Sequence, residues 1–240
     1  MAVSTKDSAT LRLNRYLASC GLGSRRSCEE LVREKRVSVN GALCVNLATR
    51  ITPAIDTVTV DGEPVQSESE IVLLLNKPRG YICTRSDPQH RPTVYDLIPP
   101  HLQTLHHVGR LDNESQGLLV LTNSGDLTAT LTHPKHAIEK EYTVSLNKAF
   151  DPKLKGRLLK GVKTPEGFAR AYSIVIVSPR RCRVILRQGL KRQIRHMFDA
   201  LGYRVVRLER IRIGRLTAPN LPEGKWRVLS SADSKRLLSS

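Results

Sequence analysis

Residues 108–127 read V-G-R-L-D-N-E-S-Q-G-L-L-V-L-T-N-S-G-D-L, and this stretch restricts the fold more than any other in the chain. Leu118 to Leu121 form a short apolar run of the kind a buried strand makes. In front of it lies a polar loop that carries Arg110 and Asp112 and is bracketed by Gly109 and Gly117. Glycines at both ends let another backbone or a ligand come close, because they lack a Cβ and tolerate positive φ. By spacing alone, an Asp in such a loop is most often an Asx-turn or a helix cap.

Strand and helix patterns recur on either side of it. Ile71 to Leu75 is a second continuous apolar run, followed by the turn-rich N-K-P-R-G-Y and the long irregular S-D-P-Q-H-R-P-T-V-Y-D-L-I-P-P, a segment whose length suits a substrate-covering loop. Gly125-Asp126-Leu127 opens a short helix that ends before His133-Pro134. Lys140 to Leu146 alternates, turning Tyr142, Val144 and Leu146 to one face. Ala169–Val177 and Arg181–Arg187 read as a hairpin joined at Ser178-Pro179. In Leu190–Gly202, Leu190, Ile194, Met197 and Leu201 make one helical stripe with Gly202 at the C-cap, so Lys191, Arg192 and Arg195 flank or oppose it. Arg195 falls at the stripe's edge, where a half-buried guanidinium would seek a carboxylate, and Asp112 is a suitable partner. Val205–Ile213 is strand-like, and its apolar parity breaks between Leu208 and Ile211, which predicts a bulge. Ser230 to Ser240 is expected to fray.

Ahead of these segments, Leu11–Cys20 and Ser24–Lys35 read as two helices around G-L-G, with Ser24 as an N-cap. Asn40-Gly41 and Asp61-Gly62 each sit inside alternating residues and predict tight hairpins. Q-S-E-S-E at Gln66–Glu70 is polar and patternless, so a boundary is placed there between domains of residues 1–68 and 69–240.

The formal net charge is +17, and its placement matters. Residues 1–68 hold nine Lys/Arg and eight Asp/Glu, which leaves thirty and fourteen of the chain's 39 and 22 for the remainder. From Arg180 to Arg215, twelve basic residues face only Asp199 and Glu209. Such clustering points to a polyanion, with RNA or DNA favoured. Five scattered cysteines without a C-x-x-C pair suggest reduced thiols and no zinc site, so no metal is expected. No apolar run is long enough for a membrane helix, and no signal or transit peptide is recognisable, so a cytoplasmic location is expected.

L-N-R-Y-L-A-x-x-G-x-x-S-R-R-x-x-E-x-L-V followed by V-x-V-N-G resembles the S4-type RNA-binding module. Its basic residues include Arg15, Arg25 and Arg26, and Ser24-Arg25-Arg26 is its most telling part. Further on, N-K-P-R-G, G-R-L-D-N-E-S-Q-G-L-L-V-L-T, K-E-Y-T-V, and G-L-K-R-Q-I-R-H-M with R-L-E-R-I-R-I-G occur in order across nearly the whole chain. Together with the module they resemble the RsuA-type rRNA pseudouridine synthases. The resemblance implies an α+β catalytic domain around an antiparallel sheet, with a cleft across its middle. It implies Asp112 as catalytic carboxylate, Tyr142 stacked on the target uracil, Arg195 paired with Asp112, and Leu208 packed against the site. Arg110 would hold the flipped nucleotide out of its stack, and Ser24, Lys77, Lys191 and Arg192 would join the RNA contacts. It implies isomerisation of a uridine without cofactor, by a monomer acting on rRNA within an assembling ribosomal subunit. The K-R-Q-I-R run looks closer to the large-subunit branch. A catalytically silent RNA-binding or ribosome-assembly factor would need the basic surface but not Asp112, Tyr142 and Arg195 together. A DNA-binding regulator fits less well, since no dimeric helix-turn-helix pattern is present.

Overall fold

The computed structural model describes residues 10–239. They divide into two compact units, one running to Glu70 and taking in Asn123–Gly125, the other made of Ile71–Thr122 and the chain from Asp126.

The first unit runs β1 (Leu11–Arg12), α1 (Leu13–Ser19), α2 (Arg25–Arg33), β2 (Val37–Val39), β3 (Ala42–Leu43), β4 (Arg50–Ile51), β5 (Val58–Val60) and β6 (Glu63–Pro64). Leu11 and Arg12, expected in the first helix, instead pair with β4. Ser24 caps α2, its Oγ accepting from the Ser27 N–H at 3.1 Å. Both expected hairpins form, in the sheet order β3-β2-β5-β6. Asn40, Gly41, Asp61 and Gly62 all take positive φ, as a two-residue turn matched to strand twist requires. Leu13, Leu17, Cys28, Val32, Val37, Ile51 and Val58 pack between the helices and strands. Arg25 and Arg26 are exposed and Arg15 is half-buried.

The second unit contains β7 (Val72–Lys77), β8 (His106–Val108), β9 (Gln116–Thr122), α3 (Gly125–Thr132), β10 (Lys140–Leu146), α4 (Lys155–Lys160), β11 (Val162–Thr164), β12 (Gly167–Ala169), β13 (Ser173–Ser178), β14 (Arg181–Leu186), α5 (Gln193–Asp199), β15 (Val205–Ile213), β16 (Leu216–Thr217), β17 (Trp226–Val228) and α6 (Ser231–Leu238). Its main sheet has the order β13-β14-β10-β15-β9-β7-β17, with β16 on β15 and β8 on β9. The runs in β7 and β9 are continuously apolar because both faces are covered. Leu74, Leu118 and Val120 pack beside Leu127 and Leu131 on one side. Leu73, Leu75, Leu119 and Leu121 pack beside Val94, Tyr95 and Ile98 on the other.

Four expectations change. The sheet is mixed, not wholly antiparallel, because β9 and β15 run parallel where Gln116-Gly117 meet Glu209-Arg210. The helix read over Leu190–Gly202 shrinks to Gln193–Asp199, since Arg192 takes a left-handed conformation (φ 49°) that breaks the first turn. Near the end of the irregular segment, Val94, Tyr95 and Ile98 are core and not a free cover. Ser231–Leu238 forms α6 where fraying was expected: Ser230 caps it, Asp233 binds Arg227 at 2.6 Å, and Leu237 is fully buried, while Ser240 lies outside the described residues. The predicted bulge is present, because Glu141 faces Arg212 while Tyr142 faces Arg210, leaving Ile211 unmatched. No helix among the described residues is long and apolar enough to cross a membrane.

Candidate active site

Asp112 is held between two walls. On one side stands the end of β7. Lys77, at 0 % exposure, donates from Nζ to the carbonyls of Asp112 (3.2 Å), Ser115 (2.8 Å) and Pro78 (2.9 Å). Gly80 N–H binds the Asn113 carbonyl at 2.9 Å, and Cys83 Sγ accepts from the Leu111 N–H at 3.4 Å. Lys77 therefore has no path to an RNA phosphate, and its expected role as an RNA contact is withdrawn. A fully buried ammonium needs this many acceptors. Burial, the largest influence, still pulls its pKa down to about 8.

On the other side stands α5. Arg195, with its side chain 10 % exposed, donates to the carbonyls of Val205 (3.0 Å) and Glu114 (3.2 Å) and reaches Ser115 Oγ at 3.4 Å. Its Nε lies 3.9 Å from Asp112 Oδ2, an ion-pair distance beyond hydrogen-bond reach. Arg192 Nη1 stands 3.9 Å from the same oxygen, and its Nη2 binds Glu114 Oε2 at 3.2 Å. The left-handed turn that shortens α5 is what brings Arg192 here, so a residue read as an RNA contact belongs to the surroundings of Asp112. Burial lowers the pKa of Arg195 and the charge of Glu114 raises it, with the net shift downward. The Asp112 carboxylate thus faces two guanidinium groups while its backbone is pinned from below.

Beyond the carboxylate opens a cavity of about 210 Å³ lined by Asp112, Arg110, Tyr142, Ile194, Leu208 and Arg210, among others. Tyr142 is 9 % exposed and Leu208 is buried. They share a sheet face because Tyr142 and Val144 of β10 stand opposite Arg210 and Leu208 of β15. Arg110 is exposed at the rim and Lys191 is exposed nearby on the chain. So Asp112, Tyr142, Arg195, Leu208, Arg110 and Arg192 all come together, whereas Arg15, Ser24, Arg25 and Arg26 belong to the other unit. Among the described residues no group of three His, Cys, Asp or Glu is placed to hold a metal. Sequence reasoning missed Glu114, which bridges both arginines, and Arg210, whose only signal was the parity break in β15.

Fold and site define a mixed α+β enzyme with one carboxylate facing an open, basic cavity. The sequence profile of the family described as RNA pseudouridylate synthase matches residues 71–200. A ribosomal large subunit pseudouridine synthase B from Bacillus subtilis is 35% identical over 94% of this chain and 95% of its own length. A ribosomal small subunit pseudouridine synthase A from Salmonella typhimurium is 33% identical, over 93% of this chain and 98% of its own. A crystal structure of a pseudouridylate synthase superposes with a TM-score of 0.69 at 29% identity, covering 95% of this chain and 99% of that one. The chain belongs to the RNA pseudouridylate synthase family: it is an isomerase that converts uridine in RNA to pseudouridine.

Proposed function

We propose that this enzyme modifies a specific uridine of ribosomal RNA, in the large subunit, with Asp112 as the catalytic carboxylate. The observation that carries the reading is the placement of Asp112 Oδ2 within 3.9 Å of both Arg192 and Arg195 at a cavity walled by Tyr142 and Leu208. A target base turned out of its stack enters that cavity and lies against the Tyr142 ring, which offers a planar surface to any exposed base. Leu208 closes the apolar side. Arg195 and Arg192 attract and orient the carboxylate, and Lys77 fixes its loop, so the reacting oxygen is in place before substrate arrives. Arg110 at the rim holds the space the base leaves. The first unit, with Arg15, Ser24, Arg25 and Arg26 on its helix pair, docks RNA in the manner of an S4-type module. The K-R-Q-I-R run from Lys191 favours large-subunit RNA, and an assembling particle is the natural substrate for a monomer of this charge in the cytoplasm.

Tritium release from rRNA carrying uridine tritiated at C5 tests this reading, comparing wild type with Asp112→Asn on free rRNA of both subunits and on immature particles. Release by the wild type alone, confined to large-subunit RNA, is the expected result. Release by Asp112→Asn at a comparable rate sinks the assignment of Asp112, and release from small-subunit RNA moves the substrate. No release from any of them leaves a silent RNA-binding factor.

A further inference from the structure

The lining of the same cavity holds two cations that nothing above uses. Arg210 stands directly across from Tyr142 in the β10–β15 pairing, so the two side chains share one face. It is 4 % exposed, and its Nε donates to the Leu118 carbonyl. Its Nη2 is buried without any hydrogen-bond partner. Lys140, two residues before Tyr142, lines the same cavity and donates to the carbonyls of Leu131 and Ile138, both at 3.2 Å. Asp112 is the one carboxylate among the described lining residues. A buried donor left unsatisfied is costly and calls for an explanation.

We propose that Arg210, with Lys140 beside it, binds the carbonyl edge of the target uracil and holds the negative charge that the ring develops during the reaction. The inference rests on the function proposed above. It does not depend on which atom Asp112 attacks. If the C1′–N1 bond breaks first, its electron pair stays on N1 and spreads to O2 and O4. If the carboxylate instead forms a bond to C6, the C5–C6 π pair moves toward C5 and O4, the C1′–N1 bond then breaks, and the carboxylate leaves C6 after C5 has joined C1′. Rejoining through C5 to C1′ consumes that charge; the C5 proton then leaves and N1 gains one, so the net change is an isomerisation. In either case a preorganised, desolvated donor at a ring carbonyl oxygen acts where charge grows. The same donor selects the base, because cytosine presents an amino group where uracil presents O4. Burial and the neighbouring Arg210 charge hold Lys140 down to a pKa of about 8, as expected of two cations waiting for an anionic partner.

The test compares the single-turnover rate of C1′–N1 cleavage in uridine and in 5-fluorouridine within otherwise identical transcripts of the modified RNA; the C5 fluorine cannot leave as the C5 proton does, so cleavage, not pseudouridine formation, is read for both. Fluorine withdraws electrons and stabilises the ring anion without help from the protein. Arg210→Met is expected to slow C1′–N1 cleavage in uridine on the order of 100-fold, the usual cost of one oxyanion donor, and to slow cleavage in 5-fluorouridine much less. Arg210→Lys is expected to recover part of the loss. Equal slowing of both substrates would mean a purely structural role and would overturn the proposal. Should Arg210→Met fail to fold, Lys140→Met carries the same comparison, with a smaller difference of the same sign expected and equal slowing again fatal. Absence of wild-type C1′–N1 cleavage in the uridine transcript would instead refute the underlying function.

Discussion

The Lys77 ammonium donates to the main-chain carbonyl of Asp112 at 3.2 Å, so a residue inside β7 sets the height of the loop that presents the carboxylate. Lys77→Met leaves three carbonyl oxygens without this donor. Unfolding in urea is expected to show a loss of about 3 kcal/mol. Single-turnover rates should fall on the order of 100-fold, because the displaced carboxylate is no longer aligned.

The same lysine makes a pH prediction. Its folded pKa of about 8 lies below the ordinary 10.5, so between those values the unfolded chain binds the extra proton. By linkage, Lys77 then makes stability rise as pH goes from about 8 to about 10.5. Activity runs the other way, because a neutral amine has too few N–H groups for three carbonyls. Subtracting the Lys77→Met unfolding curve from the wild-type curve over this range should isolate a positive slope of up to one proton. A flat difference would show that Lys77 titrates normally.

Arg195→Lys keeps the charge beside Asp112 but loses the planar fork that serves Val205, Glu114 and Ser115 at once. The rate under saturating RNA is expected to drop on the order of 100-fold. Filter-binding affinity should stay near wild type, since no cation is removed from the RNA-facing surface. A change in affinity with the rate preserved would mean that Arg195 contacts RNA and does not organise the loop.

Gly117 takes φ 107° where β9 meets β15, and a Cβ there would press into the main chain of Arg210. Gly117→Ala is expected to cost about 3 kcal/mol from strain and overlap together, with turnover falling because Asp112 and Arg210 are both displaced. Thermal unfolding and C5 tritium release measure the two effects. Unchanged values in both would show that the parallel joint is not as close as described.

The first unit's part in docking is tested at its exposed arginines. Replacing Arg25 and Arg26 by Ala should weaken RNA binding and reduce the salt slope of log K by roughly 1.4, two phosphate contacts at about 0.7 each for single-stranded RNA. Turnover at saturating RNA should be unaltered. An unchanged slope would remove this face from the RNA contacts.

Period and turn chemistry were enough to place much of this fold from sequence. The alternation in Lys140–Leu146 gave Tyr142 and Val144 their shared buried face, Asn40-Gly41 and Asp61-Gly62 turned the two hairpins, and the broken parity before Ile211 became a real bulge. These features follow from local sterics and from the two-residue repeat of a strand, which a chain carries in its own order. Asp112 is singled out by the resemblance of its G-R-L-D segment to a known family, because by spacing alone it reads as a turn or a cap. What the order of residues could not supply was the set of partners. Lys77 is buried against the carbonyls of Asp112 and Ser115 and not offered to RNA, and Arg192 enters the site through a left-handed turn that a helical periodicity does not register. Arg210 faces Tyr142 across strands 68 positions apart in number, beside a parallel joint that brings Gly117 against it. Such pairings depend on which strands lie next to one another, and that is settled by burial of the whole sheet's two faces, not by any local stretch.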